Sequence, residues 1–472
     1  MSCPFFLEVV VIHLLAFLLF RFNVKKGITR LRRTFANLER KISKIMVVYK
    51  FGGASVKDAA SIKHVARIIA DTTGPLVVVV SAMGKTTNAL EEVLNTYYNG
   101  DQATAIELLA KLRQSHFEAA RAILGDEAEE TMHRLNDHFV EIDWIIEDDV
   151  HDPYDYLYDQ IVSIGEMASS TLLHAAVVAQ GAQAAYLDAR AVIVTDERHR
   201  AASVDFALTQ ERITKQVSDL QVDHRVVITQ GFIGSTRDNN TTTLGREGSD
   251  YSAGIFSYCL DVESMHIWKD VPGILTADPR LFDNTIKIDR LSYREAIEMT
   301  YYGAKVIHPK TIKPLQNKSI HLHVRPYMQP DSEGTLINDD GAMTYPPMIV
   351  VEADQSMLYI KTRDFSFVAE QHLKEIFRLL DKYHIKVNMM RNTAISFTMS
   401  TNTVASKLEL LVADLRTSFD VDVESDLELV TVRHYDQATI NRLSEGKMVM
   451  YEETLRNTHQ MVIKDVPPLV RK

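Results

Sequence analysis

Two hydrophobic periods alternate along this chain. Val47–Phe51 and Leu76–Val80 are short apolar runs bounded by glycine or proline, and between them Ile62, Val65, Ala66 and Ile69 recur at helical spacing. A β-α-β unit is predicted there. Residues 88–150 lack proline, carry only Gly100 and Gly125, and repeat apolar residues at helical spacing, as in 106–112, which predicts a helical insertion. Strands are expected again at 184–187, 191–194, 226–229 and 265–267, with apolar helices such as 169–179 between them. Such alternation predicts an α/β fold, a mainly parallel sheet sandwiched by helices.

The pattern restarts after a cluster of turn residues, Asp331-Ser332-Glu333-Gly334-Thr335, followed by Asn338 to Gly341 and the pair Pro346-Pro347. Beyond it, 357–361, 372–383, 385–389 and 394–400 read as strand, helix, strand, strand, with a helix over 406–419. Two more strands are expected at 427–432 and 459–464. Three segments follow: an extension over 1–45, a domain over 46–335 and a smaller α+β region over 336–472.

Composition narrows the classes. The 472 residues are 46% hydrophobic and 24% charged, the profile of a globular chain. The net charge of -11 is uneven, since residues 1–45 hold nine Lys/Arg against two Asp/Glu and the remainder holds 43 against 61. A body that acidic is a poor partner for nucleic acid. Cys3 and Cys259 form no CxxC, so no disulfide framework or zinc site is expected and a reducing cytoplasm fits. The apolar run 5–20 is interrupted by Glu8 and His13 and falls short of a membrane span. Its basic residues follow rather than precede it, against the order of a secretory signal. Residues 1–45 are therefore read as a mis-assigned start ahead of Met46, with a juxtamembrane anchor as the alternative.

The densest chemistry lies in Thr241-Thr242-Thr243-Leu244-Gly245-Arg246-Glu247-Gly248-Ser249-Asp250, which puts backbone donors, an arginine and a carboxylate on one glycine-rich turn. An apolar run from Tyr251 would start a helix whose positive end faces a bound anion. Several tempting patterns fail. Gly84-Lys85-Thr86 ends like a P-loop, but Val79 stands where the first glycine is required. Ser249 does not complete GxSxG, and His321 and His323 lack a third metal ligand.

Lys50-Phe51-Gly52-Gly53-Ala54-Ser55-Val56, residues 242–250, Trp268 to Ile274, Asp278-Pro279-Arg280 and Gly303-Ala304-Lys305-Val306-Ile307-His308-Pro309, in that order, resemble aspartate kinases of the amino-acid kinase family. The resemblance implies ATP-dependent phosphorylation of the L-aspartate side chain, with Mg2+ on the phosphates. It implies that Lys50 and Lys305 flank the transferred group and that Asp250 holds both ammonium groups. Glu166 would take the substrate ammonium, Arg246 a carboxylate, and Thr87 and Ser249 would lend hydroxyls. Gly52, Gly53 and Ser55 would present N–H groups to phosphate, and Asp270 and Arg280 would contact the nucleotide. The C-terminal region resembles tandem ACT domains, the second shortened, and implies a homodimer. Lysine-sensitive relatives carry an aspartate where this chain has Asn388, within Val387-Asn388-Met389-Met390, so weak lysine feedback is expected. With no GxGxxG turn and no room after the ACT units, an appended dehydrogenase is not expected. A kinase acting on glutamate or N-acetylglutamate is the enzymatic rival, and a non-catalytic amino-acid sensor is the rival from another class.

Overall fold

The computed structural model describes residues 46–304, 307–339, 343–364 and 366–465. The extension 1–45 and Lys305 lie outside the described residues. The chain forms two compact units, one of residues up to Asp270 together with Lys313–Glu333, the other of Val271–Ile312 and Gly334 onward.

The first unit opens with β1 (Val47–Phe51), α1 (Ala59–Asp71) and β2 (Leu76–Val80), where Asp58 caps α1 by accepting from the Ser61 N–H. Helices α2 (Thr86–Tyr98), α3 (Gln102–Leu124) and α4 (Glu129–Glu147) form the insertion, and α5 (Tyr154–Val162) runs into α6 (Ile164–Ala179). There follow β3 (Ala184–Leu187), α7 (Phe206–Leu220), β4 (Val226–Gln230), the hairpin β5 (Ile233–Ser235) and β6 (Thr241–Thr243), α8 (Gly248–Leu260) and β7 (Ser264–Lys269).

Tyr49 and Phe51 join the large core made with Ile62, Ile69, Leu90 and Leu172, so α1, α2 and α6 cover that face of the sheet. The opposite face of β1, which carries Val48 and Lys50, meets α8. Helices on both faces explain why β2 is buried at every position and reads as an uninterrupted valine run. Joined, α5 and α6 are long and apolar enough to cross a membrane, but 83% of the most apolar stretch is buried within the protein. They are core helices.

Beyond β7 come β8 (Ile274–Leu275), β9 (Lys287–Ile288), β10 (Arg290–Ser292), α9 (Tyr293–Tyr301), α10 (Pro309–Asn317), β11 (His321–Pro326) and β12 (Thr335–Asn338). Within the first unit the strand order is β11-β7-β1-β2-β4-β3, every neighbouring pair parallel. The expected sandwiched parallel sheet is therefore present. One expected strand is not: residues 189–191 form a 3-10 turn, and Val194 makes only an isolated bridge to Ser235. The Ala189 carbonyl accepts from both Val192 and Ile193, which curls the backbone away from a ladder.

In the second unit β13 (Met348–Thr362) leads to α11 (Glu370–Lys382), β14 (Met389–Asn392), β15 (Ser396–Thr401), α12 (Ala405–Ser418), β16 (Phe419–Arg433), α13 (Gln437–Ser444), β17 (Lys447–Leu455) and β18 (Thr458–Asp465). Six strands pair in the order β14-β15-β13-β16-β18-β17, antiparallel throughout. The long β13–β16 ladder breaks register between Glu352 and Met357. One side of that break carries a core of Leu358, Ile376, Phe397, Leu411 and Phe419; the other carries Ile349, Val430, Leu443 and Ile463. The strand expected over 385–389 starts instead at Met389, because the Ile385 N–H is held by the Leu380 carbonyl in the turn that ends α11. Arg433 at the end of β16 makes a buried two-pronged bond to Glu295 of α9, at 2.8 Å to each oxygen.

Candidate active site

Lys50 occupies the central strand of the first unit, in register with Val79 of β2 and Ile267 of β7. Its ammonium is buried and lies 2.6 Å from Asp250 Oδ1. Asp250 sits in the first turn of α8, which begins at Gly248, earlier than the apolar pattern from Tyr251 predicts. Burial acts to raise the Asp250 pKa, but Lys50 and then Lys269 outweigh it and hold the carboxyl below its usual range. Asp250 is therefore an anion, held by the cation that a bound anion would also meet.

Glu166, in the first turn of α6, is buried as well. One of its oxygens accepts from the Ala82 N–H at 3.3 Å, while Oε2 has no partner. Burial pushes its pKa up to about 8, against the opposing pull of the Ala82 and Glu166 N–H groups and of Lys50. A buried carboxyl with an empty oxygen suits a cationic group brought by a ligand.

Glycines allow the loops to converge here. A Cβ on Gly52 would sit 3.3 Å from Lys50 Nζ, and one on Gly53 would meet the Ala82 carbonyl at 2.8 Å. Ser55 departs from its expected role. Its N–H is bonded to the Gly52 carbonyl and its hydroxyl to the Trp268 carbonyl, so it braces the turn and has no N–H to offer phosphate. Trp268 is core, stacked on Phe51, with the Arg325 guanidinium 4.7 Å from its ring centroid.

Of the remaining predicted residues, Thr87 is half-buried in the first turn of α2 and Ser249 half-buried in that of α8. Arg246 is exposed at the turn between β6 and α8. Asp270 is exposed just after β7, and Arg280 is exposed in the second unit, paired with Asp278 at 2.6 Å. Glu247 is exposed too, with a left-handed backbone at φ 54°.

Two contributors carry no motif. Ala82 supplies the donor to Glu166, and Gly231 is forced by Ser249, whose Cβ lies 2.5 Å from the place a Gly231 Cβ would take. Only the burial of β2 and β4, which deliver them, was visible in the pattern. Among the described residues no cluster of three or more His, Cys, Asp or Glu side chains could hold a metal ion. His321 is exposed, and His323 stacks on His266 at 4.5 Å, its pKa lowered to about 4 mainly by burial.

Residues 46–326 match the amino acid kinase family. The chain is similar to lysine-sensitive aspartokinase 3 of Escherichia coli (strain K12), 30% identical over 399 residues, covering 82% of this chain and 86% of that protein. It is 33% identical over 294 residues to the chloroplastic bifunctional aspartokinase/homoserine dehydrogenase 1 of Arabidopsis thaliana, of which it spans only 32%. Its fold resembles that of the E. coli aspartokinase III structure solved with lysine and aspartate in the T-state, with a TM-score of 0.74 at 27% identity over 89% of this chain and 96% of that one. The same enzyme with aspartate and ADP in the R-state gives a TM-score of 0.70 over the same shares.

Proposed function

The chain belongs to the amino acid kinase family and, within it, to the aspartokinases, and we propose that the site phosphorylates the side-chain carboxylate of L-aspartate with ATP, the entry to lysine, threonine and methionine synthesis. The observation that carries this reading is the Lys50–Asp250 pair at 2.6 Å beside a buried Glu166 whose Oε2 is unpartnered. One group suits a phosphate and the other an ammonium.

The nucleophile needs no general base, because a carboxylate with a pKa of about 4 is already ionised at neutral pH. Its oxygen attacks the γ-phosphorus, the bond from that phosphorus to the β–γ bridging oxygen breaks, and ADP leaves with the electron pair. The barrier is repulsion between anions, so cations and fixed dipoles must supply the catalysis. Lys50 takes phosphate charge, steadied by Asp250, and by family resemblance Lys305 does the same. Glu166 receives the substrate ammonium, Arg246 its α-carboxylate, and Thr87 and Ser249 lend hydroxyls. Gly52 and Gly53 let the phosphates approach the backbone, with Asp270 and Arg280 on the nucleotide.

Mg2+ would be carried by the nucleotide, since that ion keeps few protein ligands when phosphates are present. Bound there, Mg2+ would shield the phosphate charge.

The C-terminal region is read as tandem ACT units through which two copies of the chain pair. A cytoplasmic setting suits Cys259, a buried free thiol whose pKa burial pushes up to about 12.

An ATP-dependent hydroxamate assay on the full chain with L-aspartate, L-glutamate and N-acetylglutamate tests the reading, with Lys305→Ala as control. Aspartyl hydroxamate that vanishes in the control is the expected result. Silence with all three substrates in folded protein would instead favour an amino-acid sensor.

A further inference from the structure

We propose that Asp159 is a positioning residue that sets the spacing between Glu166 and Arg246, and with it the length of amino acid the site accepts. The inference rests on the reading of those two residues given above.

Asp159 lies on α5 with no exposed surface, and its carboxylate gathers three donors from two other segments. The Thr243 hydroxyl donates to Oδ1 at 2.6 Å, His199 Nδ1 lies 2.8 Å from Oδ2, and the Arg200 N–H is shared between both oxygens at 3.1 Å each. Thr243 is the last residue of β6 and leads directly into Leu244, Gly245 and Arg246. Arg200 packs against the same turn. Its carbonyl lies 2.9 Å from where a Gly245 Cβ would stand, and Gly245 has φ 77°. One carboxylate thus fixes both the strand that enters the Arg246 turn and the loop that supports it.

The other end of the brace leads to Glu166. Ser163 closes α5 and opens α6, so Asp159 and Glu166 belong to one continuous pair of helices. Neighbouring bonds stiffen the joint: Gln160 Nε2 donates to the Thr241 carbonyl at 2.9 Å, the Ala202 N–H to the Thr243 carbonyl at 3.0 Å, and the Thr195 and Thr242 hydroxyls lie 2.6 Å apart. The ammonium-binding helix and the carboxylate-binding turn are therefore coupled through a buried group that touches neither substrate nor nucleotide. Burying a carboxylate is costly unless its oxygens are bonded, and here they are bonded to the elements whose separation matters. A carboxylate serving stability alone would have no reason to affect aspartate recognition more than ATP recognition.

The test uses the full chain with Asp159→Asn, Thr243→Val and Thr243→Ser, measuring KM for L-aspartate and for ATP, kcat, and the kcat/KM ratio of L-aspartate over L-glutamate. Asparagine keeps one acceptor oxygen and loses the other. Asp159→Asn and Thr243→Val should each raise KM for aspartate roughly tenfold and lower the aspartate preference. KM for ATP and kcat at saturating aspartate should stay within about twofold, and Thr243→Ser, which keeps the hydroxyl, should match wild type. If Asp159→Asn does not fold, Thr243→Val reads the same joint. Unshifted aspartate KM and preference, or equal losses for aspartate and ATP, would overturn the proposal while wild-type activity on aspartate leaves the kinase reading standing. Wild-type protein inert toward aspartate would overturn that reading and this inference together.

Discussion

Lys50 and Asp250 form a buried ion pair, Nζ to Oδ1 at 2.6 Å, between the central strand β1 and the first turn of α8. Removing one partner strands the other charge, which costs about 3–5 kcal/mol in a buried pair. Asp250→Ala should therefore lose stability as well as activity. Lys50→Met fills similar space yet leaves Asp250 unpaired, and kcat should drop by roughly 100-fold or more, the scale of losing one group that stabilises transition-state charge. Denaturant melts beside initial rates check both. An Asp250→Ala protein as stable as wild type would mean that the pair does not hold β1 to α8.

Glu166 makes the free enzyme sensitive to pH. Its carboxyl, raised by burial from 4.5 to about 8, keeps its proton at neutral pH and offers no charge to an incoming ammonium until it ionises. The value of kcat/KM for aspartate should therefore rise with pH and level off above about 8, and Glu166→Gln should lose this limb along with most aspartate affinity. Stability runs the other way. Between 4.5 and about 8 the unfolded chain releases this proton while the folded chain retains it, so the group's contribution to stability falls as pH rises through that window. Melting temperatures of wild type and Glu166→Gln should diverge across it, the variant becoming the more stable. Parallel melting curves would place the Glu166 pKa near that of an ordinary carboxylate.

Glu247 stands at φ 54°, and its side chain is exposed. A left-handed backbone costs a residue with a Cβ roughly 1–2 kcal/mol, partly offset in a glycine variant by a more flexible unfolded chain. Glu247→Gly should raise stability by about 0.5–1 kcal/mol. An exposed charge is screened at physiological salt, so KM for ATP should change less than about twofold. A drop of several fold would show that this carboxylate faces the nucleotide.

The sheet was legible in the sequence wherever burial on both faces turned a strand into an apolar run, as in β1, β2 and β4. What stayed hidden is set by partners remote in sequence. Residues 191–194 have strand composition, yet local bonds to the Ala189 carbonyl curl them, and β6, which pairs with β5, lies at the start of the 241–250 stretch that reads as a turn. The same holds at the site. Lys50 and Asp250 stand in recognisable motifs, whereas Asp159 has no motif and gains its partners only because α5, β6 and the 199–200 loop meet in the fold.

Asn388 bears on feedback by lysine. Its amide nitrogen donates to Gln355 Oε1 at 3.1 Å and to Asn402 Oδ1 at 3.2 Å, and its N–H is held by the Ser400 carbonyl at 2.9 Å. The side chain is thus committed as a donor within the sheet, and its own oxygen has no partner and no charge. By the family resemblance an aspartate at this position would pair its charge with the effector ammonium; a neutral amide forfeits that charge-assisted bond, which is roughly twice as strong as a neutral one. Restoring a carboxylate by Asn388→Asp would also place an acceptor opposite Gln355 Oε1 and Asn402 Oδ1, so those amides would have to turn before the site could work. The wild-type chain should accordingly lose less than about half its activity at roughly 1 mM lysine, where a ligand with a binding energy of about −4 kcal/mol half-fills its site. Asn388→Asp should show a larger lysine-induced rise in melting temperature than wild type, a readout of binding that does not depend on catalysis. Strong inhibition of the wild-type chain by micromolar lysine would mean that the effector ammonium finds its counter-charge elsewhere.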